Sequence, residues 1–132
     1  MSKKSKDVVL AYVAAFNSGD LERLCSLFTP DALVWGVLGW GDLAAVRPIW
    51  RDLIECLQIQ LHVEAIIAEE DTVAVRYIER GTSARPFRGA PATGRSYELT
   101  AMEWFVVRDD RIHRRWGARD GGTQAKQLGW DQ

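Results

Sequence analysis

Ile59-Gln60-Leu61-His62-Val63-Glu64-Ala65-Ile66-Ile67 decides the fold: its side chains alternate, and the charged turn Glu69-Glu70-Asp71 returns the chain into a second alternating run, Thr72–Thr82. A period of two marks a strand with one buried face. On this reading Ile59, Leu61, Val63, Ala65 and Ile67 share that face, with His62 and Glu64 opposite. Arg85–Gly94 holds two of the four prolines and reads as a loop. Tyr97–Val107 and Arg111–Asp120 continue the sheet across a tight Asp109-Asp110 turn, and a short helix, Thr123–Leu128, ends at Gly129.

Upstream the period lengthens. Val9, Tyr12, Val13 and Phe16 fall on one helical face of Asp7–Asn17, and Gly19 ends that helix. Asp20 can cap a second helix, Leu21–Phe28, which Thr29-Pro30-Asp31 stops. Ala32–Leu38 reads as a short strand and Gly39-Trp40-Gly41 as a turn. Asp42 can cap a third helix to Leu57, with Pro48 kinking it or delaying its start. Helices first and a curled, mostly antiparallel sheet afterwards define an α+β domain with the helices on one sheet face. Residues 1–132 form one domain, with a core from about 7 to 129 and residues 1–6 as a flexible tail.

Composition narrows the function classes. The chain has 132 residues, 47% of them hydrophobic, and a net charge of −1, which gives no reason to expect nucleic acid or a membrane as partner. Lys3, Lys4 and Lys6 before Val8–Phe16 imitate an export signal, but Asp7 breaks the basic region and a turn ends the apolar run. With Cys25 and Cys56 far apart in predicted helices, the expected compartment is the reducing cytoplasm. No nucleophile elbow, phosphate-binding loop or C-x-x-C occurs, and His62 and His113 lack metal-ligand spacing, so no metal is expected. Ten of the thirteen arginines lie between Arg76 and Arg119, interleaved with Glu79, Glu98, Glu103, Asp109 and Asp110. That pattern favours a solvated face crossed by ion pairs over an RNA-binding sheet with Tyr77, Tyr97 and Trp104 as stacking platforms.

Six tryptophans are a surplus for this length and suggest a pocket or an interface. Trp116 and Asp120 are four apart, so an extended strand returns both to one face. A carboxylate held against indole is a candidate general acid/base, because desolvation raises its pKa; the plainer reading makes Asp120 a turn cap. Tyr12, Trp35, Trp104, Glu103 and an inward Arg76 are the accompanying candidates for substrate contact, each with an alternative as core or surface residue.

Tyr12-Val-Ala-Ala-Phe16-Asn17-Ser-Gly19-Asp20-Leu21 and Leu27-Phe28-Thr-Pro30-Asp31-Ala32 resemble the opening of the nuclear transport factor 2-like superfamily. Val73-Ala-Val75-Arg76, Phe87-Arg-Gly89-Ala-Pro91-Ala-Thr93-Gly94-Arg95 and Arg111-Ile112-His-Arg-Arg-Trp116 followed by Asp120 are similar to its SnoaL-like polyketide cyclase group. The resemblance implies a cone: a curved sheet wrapped round a long helix, with a pocket between them. It also implies ring closure by intramolecular aldol condensation without a cofactor, with the carboxylate matching Asp120 as general acid/base. Small hydrophobic or aromatic substrates and a homodimer formed through the sheet follow from the same resemblance. Related ketosteroid isomerases place a Tyr on the first helix, matched by Tyr12, and a base carboxylate where this chain has Gly36. Steroid isomerisation is therefore not expected. A cofactor-free enzyme, a non-catalytic ligand-binding protein and an assembly protein stay open as alternatives.

Overall fold

The computed structural model describes residues 2–36 and 39–130. Its helices are α1 (Ser2–Ser18), α2 (Leu21–Ser26), α3 (Leu43–Leu57) and α4 (Gly121–Leu128). Its strands are β1 (Phe28–Gly36), β2 (Gly39–Gly41), β3 (Gln60–Glu69), β4 (Thr72–Thr82), β5 (Ser96–Arg108) and β6 (Arg111–Arg119). The strands form one curved sheet in the order β2-β1-β6-β5-β4-β3, antiparallel throughout except where β1 lies parallel to β6. Helices cover its inner face, so the architecture is the α+β cone expected from the sequence.

Period dictates what is buried. Val9, Tyr12, Val13 and Phe16 of α1 enter the core, joined by Val46, Trp50 and Leu57 of α3. They meet Val73, Val75 and Tyr77 of β4, Leu99, Ala101 and Phe105 of β5, and Ile112 of β6. Residues 2–6 are helical rather than a tail, and Ser5 donates from Oγ to the Glu70 carbonyl at 3.0 Å. Val37 and Leu38, expected at the end of a strand, lie outside the described residues; the strand itself begins earlier, at Phe28. Gly39–Gly41, expected as a turn, pairs with β1 as an edge strand. Asp42 accepts from the Ala45 N–H at 2.9 Å, and this cap fixes the start of α3 at Leu43 despite Pro48.

Two bulges set which side chains reach the core. In β3, Val63 pairs with Tyr77 but Ala65 with Arg76, so Glu64 is an extra residue. Beyond it the parity flips: Ile66 and Ala68 turn inward, while Ala65 and Ile67, expected inside, turn outward, leaving Ile67 69% exposed. In β6, Ile112 pairs with Val107 and Arg114 with Val106, so His113 is extra. From there Arg115, Gly117 and Arg119 share the inner face, and Trp116 shares the outer one.

Candidate active site

The inner face of the sheet holds a carboxylate gripped from three elements. Glu103 projects from β5 between helices and sheet, and its Oε2 accepts from the Tyr12 hydroxyl of α1 at 3.1 Å. The same oxygen accepts from Arg115 Nη1 of β6, while Oε1 accepts from the Tyr77 hydroxyl of β4 at 2.8 Å. The Glu103 and Arg115 side chains are only 10% and 11% exposed. Arg115 lies over two glycines: its Nη2 donates to the Trp35 carbonyl at 3.4 Å, and a Cβ on Gly117 would sit 2.8 Å from Nη1. The bare strand backbone there makes room for the guanidinium.

Electrostatics fix the protonation states. Burial first, then the Glu103 charge, pushes the Tyr12 and Tyr77 phenols far above their ordinary range, so both stay neutral donors. Burial opposes the Arg115 charge, but Glu103 and Tyr12 outweigh it and raise its pKa. The cluster is an internally neutral pair, one anion and one cation, edged by two phenols. A second acid lies farther along the same face. Glu79 of β4 is 1% exposed, accepts from the Tyr97 hydroxyl at 2.5 Å and pairs with Arg119 at 3.1 Å. Burial raises its pKa although Arg119 and Tyr97 oppose the shift.

The proposed site residues divide among three places. Tyr12 and Glu103 meet in the buried cluster. Trp35, Trp104, Trp116 and Arg76 lie on the outer face, behind the sheet from that cluster. Pairing register sets Trp40, Trp35, Trp116, Trp104, Ala74 and Ile67 side by side across all six strands. A groove of about 630 Å³ runs along this row, its walls including Trp35, Trp104, Trp116, Met102 and Arg76. Arg76 points outward and pairs with Glu64 at 3.3 Å instead of entering the core.

Asp120 lies in a third place, and its environment reverses the expected one. The strand ends at Arg119, and Asp120 caps α4, accepting from the Thr123 N–H at 3.0 Å and the Thr123 hydroxyl at 2.6 Å. It is exposed, and those two hydrogen bonds hold its carboxyl below the ordinary range. The bulge at His113 is the cause: it turns Trp116 outward, so no indole accompanies Asp120 inside. His113 itself contacts the Thr29 hydroxyl at 3.0 Å beside Asp31 and Arg108, and burial with the neighbouring Arg114 and Arg108 lowers its pKa.

The profile of the SnoaL-like domain matches residues 9–115. The chain belongs to the SnoaL-like family. Among solved structures, this SnoaL-like chain is similar to IdmH of Streptomyces antibioticus, a candidate polyketide cyclase. The two are 32% identical over 95% of this chain and 98% of that one, with a TM-score of 0.82. AclR of Streptomyces galilaeus, a candidate hydroxylase, is 24% identical over 98% of both chains, with a TM-score of 0.89. An epoxide hydrolase of Mycobacterium tuberculosis is 14% identical over 98% of this chain and 92% of that one, with a TM-score of 0.78. The last two likenesses concern the fold. No curated protein matches the chain.

Sequence reasoning overlooked Tyr77, Arg115 and Glu79 as interior chemistry. Tyr77 and Tyr97, considered as stacking platforms, are buried hydroxyl donors to the two acids. Tyr77 and Glu79 share parity with buried Val73 and Val75, which was a usable signal for the inner face. Arg115 had none, since its inward turn depends on the bulge. Among the described residues no group of three His, Cys, Asp or Glu is placed to hold a metal ion. No helix among them is long and apolar enough to cross a membrane.

Proposed function

We propose that this SnoaL-like protein is a cofactor-free enzyme for a small hydrophobic or aromatic carbonyl compound, transferring a proton at carbon in an aldol-type cyclisation or isomerisation. The observation that carries this reading is Glu103, a carboxylate on the inner face held by Tyr12, Tyr77 and Arg115. Three donors from α1, β4 and β6 hold this carboxylate in one orientation before a substrate arrives. The 32% identity with a candidate polyketide cyclase supports the same reaction class. Asp120 is the rival for the acid/base role, and its exposed capping position makes it the weaker one.

Deuterium exchange into the acidic C–H of ethyl acetoacetate, followed by proton NMR, tests the assignment. Glu103→Gln should abolish protein-catalysed exchange, and Asp120→Asn should leave it within a few fold. The reverse result returns the role to Asp120.

The outer face supports the remaining partner expectation, a homodimer through the sheet. Trp40, Trp35, Trp104, Met102 and Ile67 are exposed together there, and contiguous exposed apolar side chains mark interaction surfaces. The unpaired Cys25 and Cys56 fit a reducing compartment such as the cytoplasm. The groove along the same row favours a second reading, a non-catalytic protein that takes a flat apolar ligand there. A titration of 2-naphthol read by tryptophan fluorescence separates the two: quenching lost in Trp104→Ala, with no exchange activity in the parent, selects the binding reading.

A further inference from the structure

The segment joining β4 to β5 is built as a clasp. Phe87 and Ala90 exchange both backbone hydrogen bonds, at 2.9 and 2.8 Å. The two residues between them, Arg88 and Gly89, have φ of 44° and 94°, which makes a tight hairpin. The Phe87 ring stacks on Trp130, just past α4, with centroids 6.2 Å apart and planes 7° from parallel. The Trp130 indole N–H donates to the Pro91 carbonyl at 2.9 Å, and its backbone N–H donates to the Ala125 carbonyl of α4 at 2.8 Å. On the other side Arg88 pairs with Asp52 of α3 at 3.0 Å, and the Ala84 N–H donates to the Cys56 carbonyl at 2.9 Å. Residues 84–94 thus bridge α3 and α4 where β4 ends and β5 begins. Phe87 and Trp130 both pack against the core there.

From this we infer that residues 84–94 are a gate, hinged at Ser83 and Gly94 and latched by Trp130, through which solvent and substrate reach the inner sheet face. The inference rests on the reading of that face as the active site. Glu103 and Arg115 are nearly closed off in this conformation, so a substrate needs an element that moves. The base of the hairpin is firm: Ser83 is fully buried, its N–H donates to the Arg95 carbonyl and its carbonyl accepts from Gly94 N–H, both at 2.9 Å. The rest is held lightly. A partly exposed ion pair contributes little, and Arg88 sits in a left-handed conformation that glycine would adopt more easily. The end of the inner face beside the gate is also easier to wet than an apolar core. Tyr97 there donates to buried Glu79, and Gln124 Nε2 is buried near that hydroxyl without completing a hydrogen bond. Entering water would supply the missing partner and rehydrate the acid, which lowers the cost of opening.

Thiol labelling with DTNB reads the gate independently of activity. In a protein carrying Cys25→Ser and Cys56→Ser, Leu99→Cys puts a buried thiol opposite Glu79 in the register of β4 and β5. Val73→Cys puts one on the same face opposite Phe105, far from the clasp. Adding Trp130→Ala should speed labelling of the Leu99→Cys protein about tenfold and leave that of Val73→Cys within about twofold. Phe87→Ala removes the same stack from the other side and gives the readout should Trp130→Ala fail to fold. In the parent background either latch variant should raise kcat/KM for deuterium exchange into ethyl acetoacetate by the same factor, because both rates scale with the open fraction. Acceleration at neither thiol shows that nothing is latched, and equal acceleration at both shows general loosening; each result overturns the gate. Faster labelling at Leu99→Cys alone, with exchange unmoved or absent, keeps a gate for solvent and overturns the reading of the inner face as the active site.

Discussion

At the scale of single residues, two carboxylates with similar sequence credentials receive opposite environments. Glu103 is buried and gripped, so Glu103→Ala would strand the Arg115 charge and cost about 3–5 kcal/mol. Glu103→Gln keeps an oxygen for one phenol but strands the same charge, so it should cost most of that amount; urea unfolding monitored by circular dichroism measures both. Glu79 makes its own contribution to pH dependence. Its folded-state pKa is raised, so the native state binds the proton more tightly than the unfolded chain does. Its share of stability is therefore greatest in acid and declines as pH climbs from about 4.5 through the raised value. Replacing it in Glu79→Gln should flatten that decline in urea midpoints taken between pH 4 and pH 8. Asp120 runs the other way: its lowered pKa gives a contribution present near neutrality and lost in acid. Asp120→Ala should speed amide exchange in α4 without slowing catalysis.

Elements explain how far the sequence could be read. Helix caps and strand periods are local, and Asp20, Asp42 and the 59–82 alternation led to the right elements because each signal acts within one or two turns. Bulges are not local, since whether a strand absorbs an extra residue depends on its neighbour's register. The bulges at Glu64 and His113 therefore inverted the expected faces of Ala65, Ile67, Trp116 and Arg115. The same limit concealed the site: Tyr12 and Glu103 could be named as candidates, but their convergence with Arg115 needed the register of β5 on β6. Tight packing between elements is also invisible in sequence. A Cβ on Gly81 of β4 would come within 2.5 Å of the Leu57 carbonyl and 2.6 Å of Tyr97 Cε1. Gly81→Ala should cost about 1–3 kcal/mol or more, seen as a lower urea midpoint, because backbone at the end of α3 cannot yield cheaply.

For the molecule as a whole, the two faces of one sheet differ in character. The acid cluster lies inside, and the indole row lies outside, where Trp104 remains 52% exposed in the single chain. The expected result in analytical ultracentrifugation is a dimer for the parent protein and a monomer for the Trp104→Lys, Met102→Glu double variant. Because both side chains point away from Glu103, the monomer should retain its fold by circular dichroism. A parent protein that sediments as a monomer at high micromolar concentration would leave the outer groove free for a ligand.

The parallel seam between β1 and β6 also has a consequence in time. Leu33, Val34 and Trp35 pair with Arg114, Arg115 and Trp116, about eighty residues later, whereas β3, β4 and β5 each pair with the strand next in sequence. Closing so long a loop comes late, since its entropy must be lost before any contact compensates. On a ribosome the first strand would wait, paired only with the three-residue β2, until nearly the last one emerged. Arg115 spans that seam, reaching from β6 to the Trp35 carbonyl and to Glu103. The Glu103 cluster is thus assembled by the final closure of the sheet, and a chain that has not finished folding lacks it.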